Sequence, residues 1–129
     1  MVKKRKKKTA GMSDKYLDDL VRKVVYLMSG GYCKRCKRYI GVADLQAAHI
    51  YRRRHKTVRF DLRNVQPLCL ECHTVVDKDP VEMTSFMYDI MTPEEVKDLQ
   101  ELARKTIKDH PIDREQIKTD LKERIRKLE

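Results

Sequence analysis

The sequence predicts an α+β fold: a small core of two short strands and a helix, stapled by a metal, with further helices at both ends. Three observations lead there. Two Cys-x2-Cys knuckles, Cys33/Cys36 and Cys69/Cys72, frame the middle of the chain. Helical apolar periodicity precedes and follows them, while only short apolar runs lie between. The chain is 129 residues long with 2 Phe, 6 Tyr and no Trp, and 39% of it is charged, so its core is thin and calls for a staple.

A Cys-x2-Cys turn puts two sulfurs on one side of a tight knuckle, and two knuckles supply the four thiolates of a closed tetrahedral zinc site. Four cysteines also allow two disulfides. The N-terminus, however, carries the cationic run Lys3–Lys8 in place of the apolar run of an export signal, so the expectation is a cytoplasmic protein holding a metal. No apolar stretch approaches the ~18 residues that span a bilayer.

Net charge is +10 and uneven. Residues 1–28 carry nine Lys and Arg against three acids, and residues 29–79 carry eleven against five. Residues 80–129 carry ten against twelve. A basic front and middle beside a near-neutral tail is the footprint of a polyanion-binding surface, most simply nucleic acid.

In chain order, residues 1–12 are expected to be a disordered basic tail that grips phosphate without sequence preference. Ser13 and Asp14 open a helix with Tyr16, Leu17, Leu20, Val21, Val24, Leu27 and Met28 on one stripe, closed by Ser29-Gly30-Gly31. This stripe carries no visible chemistry. Tyr39 to Ala48 reads as a hairpin-like stretch ending at His49. Ile50 to Arg63 reads as a cationic surface loop, Val65–Leu68 as a strand, and Cys69 to about Asp77 as a helix with His73 and Asp77 one turn apart. Asp79-Pro80 and Thr92-Pro93 each open a helix, to about Met91 and Lys108 respectively. Asp113 with Gln116 caps a C-terminal amphipathic helix over 111–129. The domain proper is 13–110, with its core at about 32–80.

The order Cys33-x2-Cys36, His49, cationic loop, Asn64, Cys69-x2-Cys72-His73 resembles the HNH endonucleases of the ββα-metal superfamily. The matching segments are Ala47-Ala48-His49-Ile50, Arg63-Asn64-Val65-Gln66-Pro67-Leu68 and Cys69-Leu70-Glu71-Cys72-His73, with Arg59-Phe60-Asp61-Leu62-Arg63-Asn64 similar to small bacteriophage and prophage members. The resemblance covers about residues 32–80. It implies a ββα core stapled by zinc on Cys33, Cys36, Cys69 and Cys72, acting on DNA in a phage setting and leaving 5′ phosphates.

Phosphodiester hydrolysis needs an activated water, a Lewis acid at the departing oxygen, and charge to bind the diester. His49, with an ordinary pKa near 6.5, fits the general base, and His73 the ligand of a catalytic divalent ion. The resemblance makes Asn64 a positioning residue. Arg59 or Arg63 would contact phosphate, and Arg52, Arg53, Arg54 and Lys56 would follow the backbone. Many HNH proteins place a second metal ligand just before the base histidine, where this chain has Ala48. Asp77 is then the first candidate for completing the site, with Asp44 and His55 behind it, around Mg2+ or Mn2+, with Zn2+ or Ni2+ also accepted. His55 and His110 otherwise read as surface residues.

Two other readings use the same residues. One is a zinc-stabilised DNA- or RNA-binding module without turnover. The other is an accessory protein docking through its C-terminal helix. A monomer is expected, that helix covering its own core.

Overall fold

A computed structural model describes residues 12–129; the expected basic tail lies outside the described residues, apart from Met12. Helix α1 (Asp14–Ser29) begins where Ser13 Oγ accepts from the Tyr16 amide at 3.2 Å and ends at Gly30, whose φ of 60° a β-carbon would disfavour. Strands β1 (Gln46–His49) and β2 (Val65–Leu68) then form a two-stranded antiparallel sheet, with Gln46 opposite Leu68 and His49 opposite Val65. Helix α2 (Leu70–Lys78) follows directly from β2. Helices α3 (Pro80–Ile90), α4 (Pro93–Arg104) and α5 (Arg114–Leu128) complete the described chain.

The sheet separates two parts of the core because strand residues alternate between faces. Ala48, Leu68 and the four cysteines pack with Val76 of α2 and Phe86 of α3. On the other face Val65, with Ala47 beside it, packs with Leu17, Val21, Val24 and Val25 of α1 and with Leu121 and Ile125 of α5. A third cluster holds Met87, Met91, Val96, Leu99 and Ala103 from α3 and α4 around Val58. Among the described residues no helix is long and apolar enough to cross a membrane.

Each element stops where its side chains lose partners. The capping box expected at Thr92 is present: Glu95 N donates to Thr92 Oγ1 at 3.1 Å and Thr92 N to Glu95 Oε1 at 3.0 Å. Helix α4 ends at Arg104, short of the expected Lys108, because Thr106 takes over the next turn: its hydroxyl accepts from Asp109 N at 3.2 Å and its carbonyl from His110 N at 2.8 Å. The stretch from Tyr39 to Ala48 is not a hairpin. It makes a single bridge between Tyr39 and Tyr32, a 3-10 turn at Val42–Asp44, and then β1.

Segment 50–63 is also not a loose surface loop. Val58 is fully buried among α3 and α4, and Phe60 is buried against α1 and α5. Two apolar anchors two residues apart thus dock the segment on different clusters. Only Arg52, Arg53, Arg54 and Lys56 are exposed along it.

Candidate functional site

The first knuckle folds because Cys33 N donates to Arg38 O at 2.9 Å and Lys37 N to Cys33 O at 3.0 Å, with Lys37 at φ 67° closing the turn. Lys34 N reaches Pro67 O at 2.8 Å and so ties the knuckle to β2. The second knuckle is the start of α2, where Cys69 caps the helix and accepts from Cys72 N at 3.4 Å. The four Sγ atoms consequently lie within 4.8 Å of one another, and Cys36 and Cys69 are 4.0 Å apart.

A disulfide requires about 2.05 Å between sulfurs. Four thiolates at about 2.3 Å from a central zinc stand about 3.8 Å apart, which matches the spacing here. The site can hold a structural metal such as zinc. Donors reach the sulfurs: Cys69 N donates to Cys33 Sγ at 3.4 Å, Arg35 reaches Cys72 Sγ at 3.4 Å, and Arg38 reaches Cys36 Sγ at 3.4 Å. The Arg38 guanidinium draws the Cys36 thiol down to about 6, while burial pushes Cys72 up to about 12. Four thiolates around a divalent ion leave two negative charges over, which these two guanidinia offset.

His49 ends β1 and is held from the far side of the loop. Its Nε2 lies 3.1 Å from the Arg59 carbonyl, which can only accept, so Nε2 carries the proton and Nδ1 keeps the lone pair. Burial lowers its pKa. The loop that presents Arg59 is fixed by Asn64, which is fully buried. Its Oδ1 accepts from Tyr51 N at 2.7 Å, and its Nδ2 donates to Tyr51 O at 3.0 Å and to Val58 O at 3.1 Å. His55, expected at the surface, instead lies 3.1 Å through Nδ1 from the Ala103 carbonyl and pins the loop to α4.

His73 stands on α2 with Nδ1 donating to Gln46 Oε1, which leaves Nε2 free. Gln46 and His49 are three residues apart on β1 and therefore face opposite ways. The structure places His73 on the cysteine side of the sheet and His49 on the α1 side, and no direct contact joins them. Ala48 is buried against the cysteine cluster. Asp77, one turn beyond His73, meets Arg52 at 3.4 Å, which puts the end of α2 at the same end of β1 as His49. Asp44 is exposed in its 3-10 turn. The four cysteines are the only group of three or more Cys, His, Asp or Glu with metal-holding geometry among the described residues.

The expected phosphate contacts divide. Arg52, Arg53, Arg54 and Lys56 are exposed and form the loop tip. Arg59 and Arg63 are engaged by carboxylates of the protein itself. Arg59 forks onto Asp18 at 2.7 and 3.1 Å and onto Asp14 at 3.3 Å, and its side chain is 15% exposed. Arg63 binds Asp61 at 2.7 Å and Asp98 at 2.9 Å. Charge alone could not tell these arginines from their neighbours. One signal was legible: Asp18 sits at the edge of the apolar stripe, at helical spacing from Val21 and Val25, and a carboxylate there calls for a buried cation. Gln46, by contrast, carried no signal. Compared with known protein families, curated proteins and solved structures, the chain gives no significant match.

Proposed function

We propose that the protein is a metal-dependent endonuclease of the HNH type that hydrolyses phosphodiester bonds, most simply in double-stranded DNA, with its fold stapled by zinc on Cys33, Cys36, Cys69 and Cys72. The observation that carries this reading is the imidazole of His49, held by the Arg59 carbonyl so that Nδ1 is a free proton acceptor. Asn64 holds the loop behind it through three hydrogen bonds, the positioning role that the resemblance assigns.

His49 Nδ1 takes a proton from the attacking water. His73 Nε2, its ring fixed by Gln46, and Asp77 offer two ligand groups one turn apart on α2. Magnesium and manganese keep several waters and accept few protein ligands, so two groups suit a loosely held ion. When bound, such an ion supplies charge at the leaving oxygen. Arg52 to Arg54 and Lys56 line the approach.

A second reading, a zinc-stapled nucleic-acid-binding module without turnover, is favoured by buried Ala48 and by His73 and His49 facing opposite sides of β1. Supercoiled plasmid incubated with each of magnesium, manganese, nickel and zinc separates the two. Nicking by wild type, lost in His49→Ala and in His73→Ala while both still retard DNA in a gel, supports the nuclease. DNA retarded but intact with every ion supports the binding module.

A further inference from the structure

Helix α1 lies outside the core segment that carries the nuclease resemblance, yet its polar face carries Asp18, which anchors the arginine whose carbonyl holds His49. Lys15, Asp18, Asp19 and Arg22 share that face at helical spacing, and with Arg53 and Arg59 they line an open cleft of about 340 Å³. Four cations and two carboxylates meet there. Asp18 is consumed by Arg59, and Asp19 accepts from both Lys15 at 3.0 Å and Arg22 at 3.2 Å. An ammonium has three donors and a guanidinium five, so both retain free N–H groups after that one bond. Arg53 has no ion-pair partner among the described residues. The Lys15–Asp19 pair is exposed, 85% and 46% for the two side chains, so it opposes little when an incoming anion shares the lysine. The cleft also adjoins the proposed base: Arg59, which lines it, holds His49 Nε2 through its carbonyl at 3.1 Å.

We infer that Lys15, Arg22 and Arg53 form a phosphate-binding ledge that grips the nucleic-acid backbone next to the cleaved bond, an inference that rests on the nuclease reading for the class of its ligand. Phosphate suits the cleft because it needs several donors from different elements, and α1 and the loop tip supply them from two sides. The ledge holds the strand on the α1 face of the sheet, the side to which His49 points.

The test is binding of a fluorescent 20-base-pair duplex without added divalent ion, measured over a series of salt concentrations. It compares wild type, Lys15→Ala/Arg22→Ala/Arg53→Ala, and the charge-matched Lys97→Ala/Lys105→Ala/Lys122→Ala, whose residues do not line the cleft. Circular dichroism checks that all three are folded, and Arg59 is left intact. The ledge variant is expected to bind about tenfold or more weaker at roughly 0.1 M salt. Its log–log salt slope should fall by about 2 to 3 relative to wild type, with little change in the charge-matched control. Equal losses in the two triple variants overturn the ledge. A wild type that binds but never cuts overturns the nuclease reading alone, and the comparison of variants still decides the ledge. A wild type that does not bind duplex overturns both.

Discussion

Asn64 shows how much one buried amide can determine. It has no exposed surface, and its three hydrogen bonds all go to the backbone of the segment that carries Tyr51 and Val58. That segment presents the Arg59 carbonyl to His49, so the amide acts on the imidazole through the loop. Asn64→Ala strands one amide and two carbonyls in the interior, at a cost of about 2–4 kcal/mol. Urea unfolding is expected to show that loss, and cleavage by the folded fraction should fall as well. An unchanged midpoint would contradict the assignment. Arg59 works from the other side of the same loop: its guanidinium is anchored on Asp18 while its carbonyl orients His49. That an arginine in a cationic run clamps onto a carboxylate of the protein itself was hidden in the sequence, because its partner lies 41 residues away.

At the scale of elements, what could be read beforehand was what local chemistry dictates. Caps at Ser13, Asp79, Thr92 and Asp113 placed four helix starts, and the spacing of the cysteines placed the two knuckles that the fold brings together. The ends of α4 and the path of the 50–63 loop were not legible, since a threonine-centred turn and the docking of Val58 and Phe60 depend on tertiary partners. Both knuckles contribute to one sulfur cluster and both abut β2, so removing a metal held there should release the sheet as well as the knuckles. Mass spectrometry under native conditions is expected to find about one zinc per chain. Cys36→Ser or a strong chelator should abolish cooperative unfolding of the domain, as in other small metal-dependent folds. A metal-free protein that unfolds with an undiminished transition would contradict the staple. Helix α5 is structural too: Leu121 and Ile125 are buried against α1. Leu121→Ala should cost about 2–5 kcal/mol in thermal or urea unfolding, whereas a helix kept free for an outside partner would tolerate the change.

For the whole molecule, the sheet is a partition. The sulfur cluster, α2 and His73 lie on one side, while His49, α1 and α5 lie on the other, and the loop tip with Asp77 sits where the two sides meet at the end of β1. The sequence order of His49, Asn64 and His73 was visible from the start, but which way each ring faces follows from strand register, and register depends on both partners of a pair. Charge is uneven as well: residues 29–79 carry eleven Lys and Arg against five acids, and residues 80–129 carry ten against twelve. The nuclease reading turns on His49 acting as a base, and the single-turnover cleavage rate of a labelled duplex as a function of pH probes that role most directly. Burial favours the neutral ring, so its pKa lies below the ordinary 6.5 and the base form persists at lower pH. The wild-type rate should therefore begin to fall at a lower pH than an ordinary imidazole would set, and His49→Gln should lose about 10²–10⁴-fold across the range. Cleavage by His49→Gln at the wild-type rate, or a wild type that cuts nothing with any divalent ion, would contradict it.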